Sequence, residues 1–161
     1  MNTLVDRFRR LYGLLFSGSV VLQSAFLLLL RLYFFWQLFV IGKDKLLNIA
    51  KVSEYFTSLG IPLPTLNAYF IGSLEAFGSL LLIVGYASRP LALLIAASMT
   101  VAYLTGDFPA LSSIFSDPDK FIKADPFPFL LVALVVYVFG PGLFSLEGLQ
   151  KRRKLGNLDK S

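Results

Sequence analysis

The sequence predicts an all-α integral membrane protein, a four-transmembrane-helix bundle with amphipathic surface helices. Three observations lead there. Of the 161 residues, 56% are hydrophobic and the mean hydropathy is +0.70, whereas apolar residues make up about half or less of a soluble domain. Four apolar stretches are separated by Gly/Pro breaks and charged segments. Two of these stretches each hold one formal charge near the middle, Arg31 in the first and Glu75 in the second. A charge at the centre of a membrane helix costs about 2.5–3.5 kcal/mol on insertion scales, so it needs a partner or a polar cavity.

The N-terminal residues carry Leu4, Phe8, Leu11 and Leu15 at helical spacing, with Asp6, Arg7 and Arg10 away from that stripe. This predicts an interfacial amphipathic helix over residues 1–18, on the cytoplasmic side. A membrane domain over 19–146 and a basic tail over 147–161 follow. The first span covers about 19–42, SVVLQSAFLLLLRLYFFWQLFVIG, roughly the 20 residues that cross hydrocarbon. Next, Leu46, Ile49, Val52, Phe56 and Leu59 recur every three or four residues, which predicts a helix at the membrane surface. Gly60, Pro62 and Pro64 stop it. The second span covers about 65–85, and the third begins just after Arg89 and Pro90 and ends near Gly106. A polar loop follows, in which Asp117 caps a turn begun by Pro118. The fourth span, about 127–143, ends at the break FGPGL.

Charge bias orients the bundle. Arg7, Arg9, Arg10, Arg89 and the tail Lys151, Arg152, Arg153, Lys154 and Lys160 fall on one side, while the other loops mix lysines with Asp44, Glu54, Asp107, Asp117, Asp119 and Asp125. By the positive-inside rule both termini face the cytoplasm. Basic clusters beside a membrane fit anionic lipid rather than nucleic acid. With no Cys and no His, the chain alone lacks thiol chemistry, Cys- or His-ligated metal and the usual neutral-pH general base. No metal site is expected and no residue is assigned as catalytic.

Counting inward from the ends of spans one and two brings Arg31 and Glu75 to similar depth, so a direct or water-bridged pair is the expected polar centre. Its function is either to latch two helices or to organise a pocket for a quinone or a lipid headgroup. Lys45, Gln37, Tyr69 and Tyr103 are the candidate ligand or headgroup contacts. Gly72, Ala76 and Ser79 flank Glu75 on one helix face and permit close helix approach. Ser98, Ala102 and Gly106 form a four-residue ladder on the third span. It reads as packing within the bundle, with a contact between copies of the chain as the alternative.

These features together resemble the DoxX family of small four-span membrane proteins. The carriers are Arg31, Gly42 and Lys45 in GKDKL, GIPLP after the surface helix, Glu75, Gly85 and Arg89 in GSLEAFGSLLLIVGYASR, and FGPGLFSLE at the end. Ile41 stands where many relatives carry a histidine, so no imidazole chemistry is implied. The family includes the membrane subunit of a thiosulfate to quinone oxidoreductase and members associated with oxidative-stress and thiol-redox complexes. The resemblance implies a redox-associated subunit of a bacterial or archaeal cytoplasmic membrane. Membrane lipids and another membrane or peripheral redox protein would be its partners, and a quinone its candidate cofactor. A noncatalytic scaffold or assembly chaperone is the alternative.

Overall fold

The computed structural model describes the backbone of residues 2–158 and the side chains of residues 18–154. Every regular element among the described residues is helical. Among the described residues three helical stretches are long and apolar enough to cross a membrane: Gly18–Leu47, Pro64–Val84 and Ser88–Thr105. A fourth apolar helix, Pro126–Phe139, has 14 residues, about 21 Å against a hydrocarbon thickness of about 30 Å.

The first helix, α1 (Asn2–Leu47), runs without a break through the expected boundary at residue 18. The amphipathic face expected for residues 1–17, and Lys160 of the tail, lie outside the described residues. Within the span, Ser24, Leu27, Arg31, Phe35, Leu38 and Gly42 are all buried. Their three- and four-residue spacing makes one continuous inward stripe. The opposite side exposes Leu22, Leu29, Tyr33 and Trp36, an apolar exterior suited to lipid.

Asn48 interrupts the helix. Its side-chain amide donates to both the main-chain oxygen and the carboxylate of Asp44, each at 3.0 Å, and such local bonds compete with the helical ladder. The chain restarts as α2 (Ile49–Ser58), which packs on α3 (Pro64–Ser73) through a 2.7 Å hydroxyl contact between Ser53 and Thr65. Gly60, at φ +71°, closes α2: Ile61 N–H donates to the Phe56 carbonyl and Gly60 N–H to that of Thr57. This pair of bonds satisfies the last free carbonyls of the helix.

The second span is α3, a π-helical turn at Leu74–Gly78, and α4 (Ser79–Val84) in one rod. A sharp corner at Gly85 leads to α5 (Ser88–Thr105). Short helices α6 (Phe108–Ser112) and α7 (Pro118–Ile122) fill the next connection, with the Asp117 carboxylate accepting from Lys120 N–H as the cap of α7. Tyr103 ties this connection down: its hydroxyl donates to the Phe121 carbonyl at 2.7 Å and its ring stacks on Phe121. Helix α8 (Pro126–Phe139) then returns along α5, the most extensive helix pairing among the described residues. Ala92, Ala96 and Ala133 let these two helices approach closely. The core joins them to Phe35 and Leu38 of α1 and Leu82 of α4. Residues 140–145 turn back under the bundle, and α9 (Leu146–Leu158) carries the basic tail.

Candidate functional site

The antiparallel register of the first two spans decides which charges meet. Gly42 faces Glu75 and Ala76, Leu46 faces Gly72, and Arg31 faces Gly85. Arg31 therefore lies about 16 Å along the bundle from the level of Glu75. The structure does not bring these two residues together, contrary to the expected pair. Counting from Gly42 and Leu66 treats them as level ends of two spans. In fact α1 continues past Gly42 to Leu47 and the contact with α3 continues into α2, so the facing positions slide by two to three turns.

Each charge has a different partner. The Glu75 carboxylate accepts from Lys45 Nζ at 2.6 Å; Glu75 is 2% exposed and the Lys45 side chain 28%. Lys45 sits one helical turn beyond Gly42 on the same stripe of α1. Glu75 stands in the π turn, a widened turn often found at functional sites. Its Oε2 and the hydroxyl of buried Ser79 have no hydrogen-bond partner among the described residues.

Arg31 is fully buried and donates from Nη2 to the Phe144 carbonyl at 2.6 Å. Glu147, an acid whose charge acts on it from beyond ion-pair distance, accepts from Ser88 N–H at 2.6 Å and returns its own N–H to the Gly85 carbonyl at 3.2 Å. Ser24 Oγ accepts from Leu143 N–H at 3.2 Å, and Ser145 Oγ donates to Gly142 O at 2.7 Å. The segment FGPGLFSLE is thus laced to α1 and to the α4–α5 corner. Gly85 is required there: its φ is +74°, and a β-carbon would collide with Arg31 Nη1 and the Ser145 side chain. Sequence reasoning missed Glu147, Ser88 and Ser24 because their partners lie far along the chain, and Ser145 because its bonds lie within a turn whose place in the bundle only the fold reveals.

The two centres differ in access. Lys45 and Glu75 line a cavity of about 980 Å³ between α2, the α3–π rod and the far half of α5. Packing between the second span and α5 is carried by the π turn and α4, so the helices part above Glu75. Helix α2 leans across the gap, with Tyr55 close to Gly106. Phe56, Ile71 and Leu74 give the wall its apolar character, while Asn48, Lys51 and Asp107 stand among the polar lining groups. Phe70, Leu94 and Val101 line the cavity and are about half exposed. Gly60, Pro62 and Asp107 in the lining place its mouth at the loops.

Other expected site residues fall in several places. Ser98, Ala102 and Gly106 line the cavity, so their small size leaves its wall open. Gly72, Ala76 and Ser79 are buried. Gln37 is exposed and bonds weakly to the Tyr33 carbonyl, Tyr69 is exposed, and buried Tyr103 is engaged with Phe121. None of these three lines the cavity. Among the described residues no cluster of acidic side chains could hold a metal ion.

Gly42 is what lets Glu75 reach its position. A β-carbon at 42 would lie 2.7 Å from the Glu75 carbonyl carbon and closer still to Ala76 N, and main chain cannot give way as a side-chain tip can. Gly42→Ala should therefore destabilise the protein by about 1–3 kcal/mol. Thermal unfolding in mild detergent would show it, and an unchanged midpoint would contradict the close approach.

A family model described as DoxX matches residues 26–107, just over half of the chain. No curated protein and no solved structure matches the chain.

Proposed function

The chain belongs to the DoxX family of small membrane proteins, and from that premise we propose that it is an integral membrane subunit of a quinone-linked redox complex, holding a quinone in the cavity above Lys45 and Glu75. The family resemblance supplies the redox setting. The cavity carries the reading, because its size falls in the range of small-molecule sites and its lining is largely apolar with few polar groups at one end. Lys45 has ammonium protons beyond the one given to Glu75 and would hold a quinone carbonyl. Phe56, Ile71 and Leu74 would flank the ring, and half-exposed Phe70, Leu94 and Val101 would carry the apolar tail toward lipid. A bound quinone supplies two-electron, two-proton carriage within the bilayer. The chain's own part is to bind and orient it.

In this reading α8 makes a fourth crossing. Its length falls short by itself, but it runs beside α5 and the chain continues through residues 140–145 to the level of Arg31. Arg89 and the basic residues 151–154 then share one end, which positive-inside bias assigns to the cytoplasm of a bacterial or archaeal cell. The cavity opens toward the other face.

Native mass spectrometry of protein gently extracted from its own membranes tests the proposal. Wild-type protein should retain a quinone, and Ala102→Trp, which fills the cavity from α5, should lower retention at least about tenfold, a loss of 1.4 kcal/mol of binding. Wild-type protein that carries no quinone from quinone-replete membranes would sink it. A scaffold role has one specific observation in its favour: Phe115 is 96% exposed on the connection between α5 and α8, which also exposes Phe108 and Ile122. Crosslinking to a partner from that connection, unaffected by Ala102→Trp, would favour it.

A further inference from the structure

We infer that the Lys45–Glu75 end of the cavity selects a hydroxyl-bearing head over a carbonyl one, so that the reduced, quinol-type form of a lipid-borne carrier is its preferred occupant. The inference rests on the reading of the cavity as a quinone site and adds which redox form it favours. Lys45 offers only donors, and an ionised carboxylate offers only acceptors. One carboxylate oxygen, Oε1, is engaged by Lys45 at 2.6 Å, and the other, Oε2, is buried without a partner among the described residues. A carbonyl oxygen placed here can accept from Lys45 Nζ but leaves the second carboxylate oxygen unpaired. A hydroxyl satisfies both groups at once, accepting from the ammonium and donating to the carboxylate.

Three further features point the same way. Glu75 is held in place by the π turn and by the main-chain approach of Gly42, which limits its withdrawal from the cavity floor. Oε2 is enclosed, and partial rotation about the terminal torsion of Glu75, which is broad for such side chains, turns it toward the cavity without moving the backbone. The Ser79 hydroxyl, buried one turn beyond Glu75 and also without a partner, adds no competing positive charge. Charge-assisted hydrogen bonds are also the strong ones, so a head that pairs the free carboxylate oxygen gains more than one that meets the ammonium alone.

The test uses the full chain in lipid nanodiscs, with a decyl-substituted benzohydroquinone and the matching benzoquinone as probes under anaerobic conditions. The hydroquinone should bind about tenfold tighter than the quinone, the weight of one charge-assisted hydrogen bond. Glu75→Gln, whose amide can also donate, should bring the ratio close to one while both probes still bind. Should that variant fail to fold, Glu75→Asp, which withdraws the carboxylate by one methylene, should lower the ratio instead. Equal or reversed preference in wild-type protein, with both probes displaced by Ala102→Trp, would overturn this inference and leave the cavity reading standing. Binding of neither probe, or binding indifferent to Ala102→Trp, would overturn both.

Discussion

Lys45→Met should destabilise the protein by about 3–5 kcal/mol, the usual cost of stripping one partner from a buried ion pair. Glu75→Leu at the other end of the same bond should cost only about 1 kcal/mol, on the scale of one ordinary hydrogen bond. The asymmetry comes from access. The Glu75 side chain is 2% exposed and would stay buried without its cation, whereas Lys45 is 28% exposed at the cavity edge. A lysine so placed can swing its ammonium toward water along a flexible stem. The double variant Lys45→Met/Glu75→Leu should accordingly recover much of the stability lost in Lys45→Met alone. Equilibrium unfolding in bicelles measures all three. If Lys45→Met proved no more damaging than Glu75→Leu, the carboxylate would not depend on this lysine.

The elements were legible in the sequence because their causes are local. Apolar length marks the spans, and Gly60, Gly85 and Gly140 stand at the breaks with positive φ. Asp117 and Pro118 begin the short helix they signal. The importance of buried charge could also be read, since neither Arg31 nor Glu75 has a neighbouring charge in its own span. Their partners could not. Which residue of α1 faces Glu75 depends on how far α1 runs beyond Gly42 and on α2 prolonging its contact with α3. One shift of register exchanges Arg31 for Lys45 as the cation of the site. The π turn at Leu74–Gly78 is equally silent in composition, because it differs from its α-helical surroundings by one residue per turn. A usable signal was present in the α1 stripe itself, where Gly42 and Lys45 stand one turn apart and a close-approach position is followed by a cation.

Arg31→Met should release the segment after α8 and cost about 1.5–3 kcal/mol, the weight of a buried hydrogen bond from a charged donor, yet leave the cavity site working. The guanidinium supplies the donor for the Phe144 carbonyl and the charge opposite Glu147, and it is wholly enclosed. Removing it leaves a main-chain acceptor without its bond and an acid held only by Ser88 N–H and its neighbours. Limited proteolysis should then cut between residues 140 and 150 faster than in the parent protein. Quinone retention should fall only as far as folded protein is lost, since Lys45, Glu75 and the apolar walls are untouched. Arg31 and Glu75 stand about 16 Å apart along the bundle, with Phe35, Leu38 and Leu82 packed in the core. Sites at such separation usually act independently to within about 0.3–0.5 kcal/mol. The stability losses of Arg31→Met and Lys45→Met should therefore add. A double-mutant cycle giving a coupling well above that margin would mean that the two charged centres communicate, and the division of the bundle into a latched end and a ligand-binding end would fail.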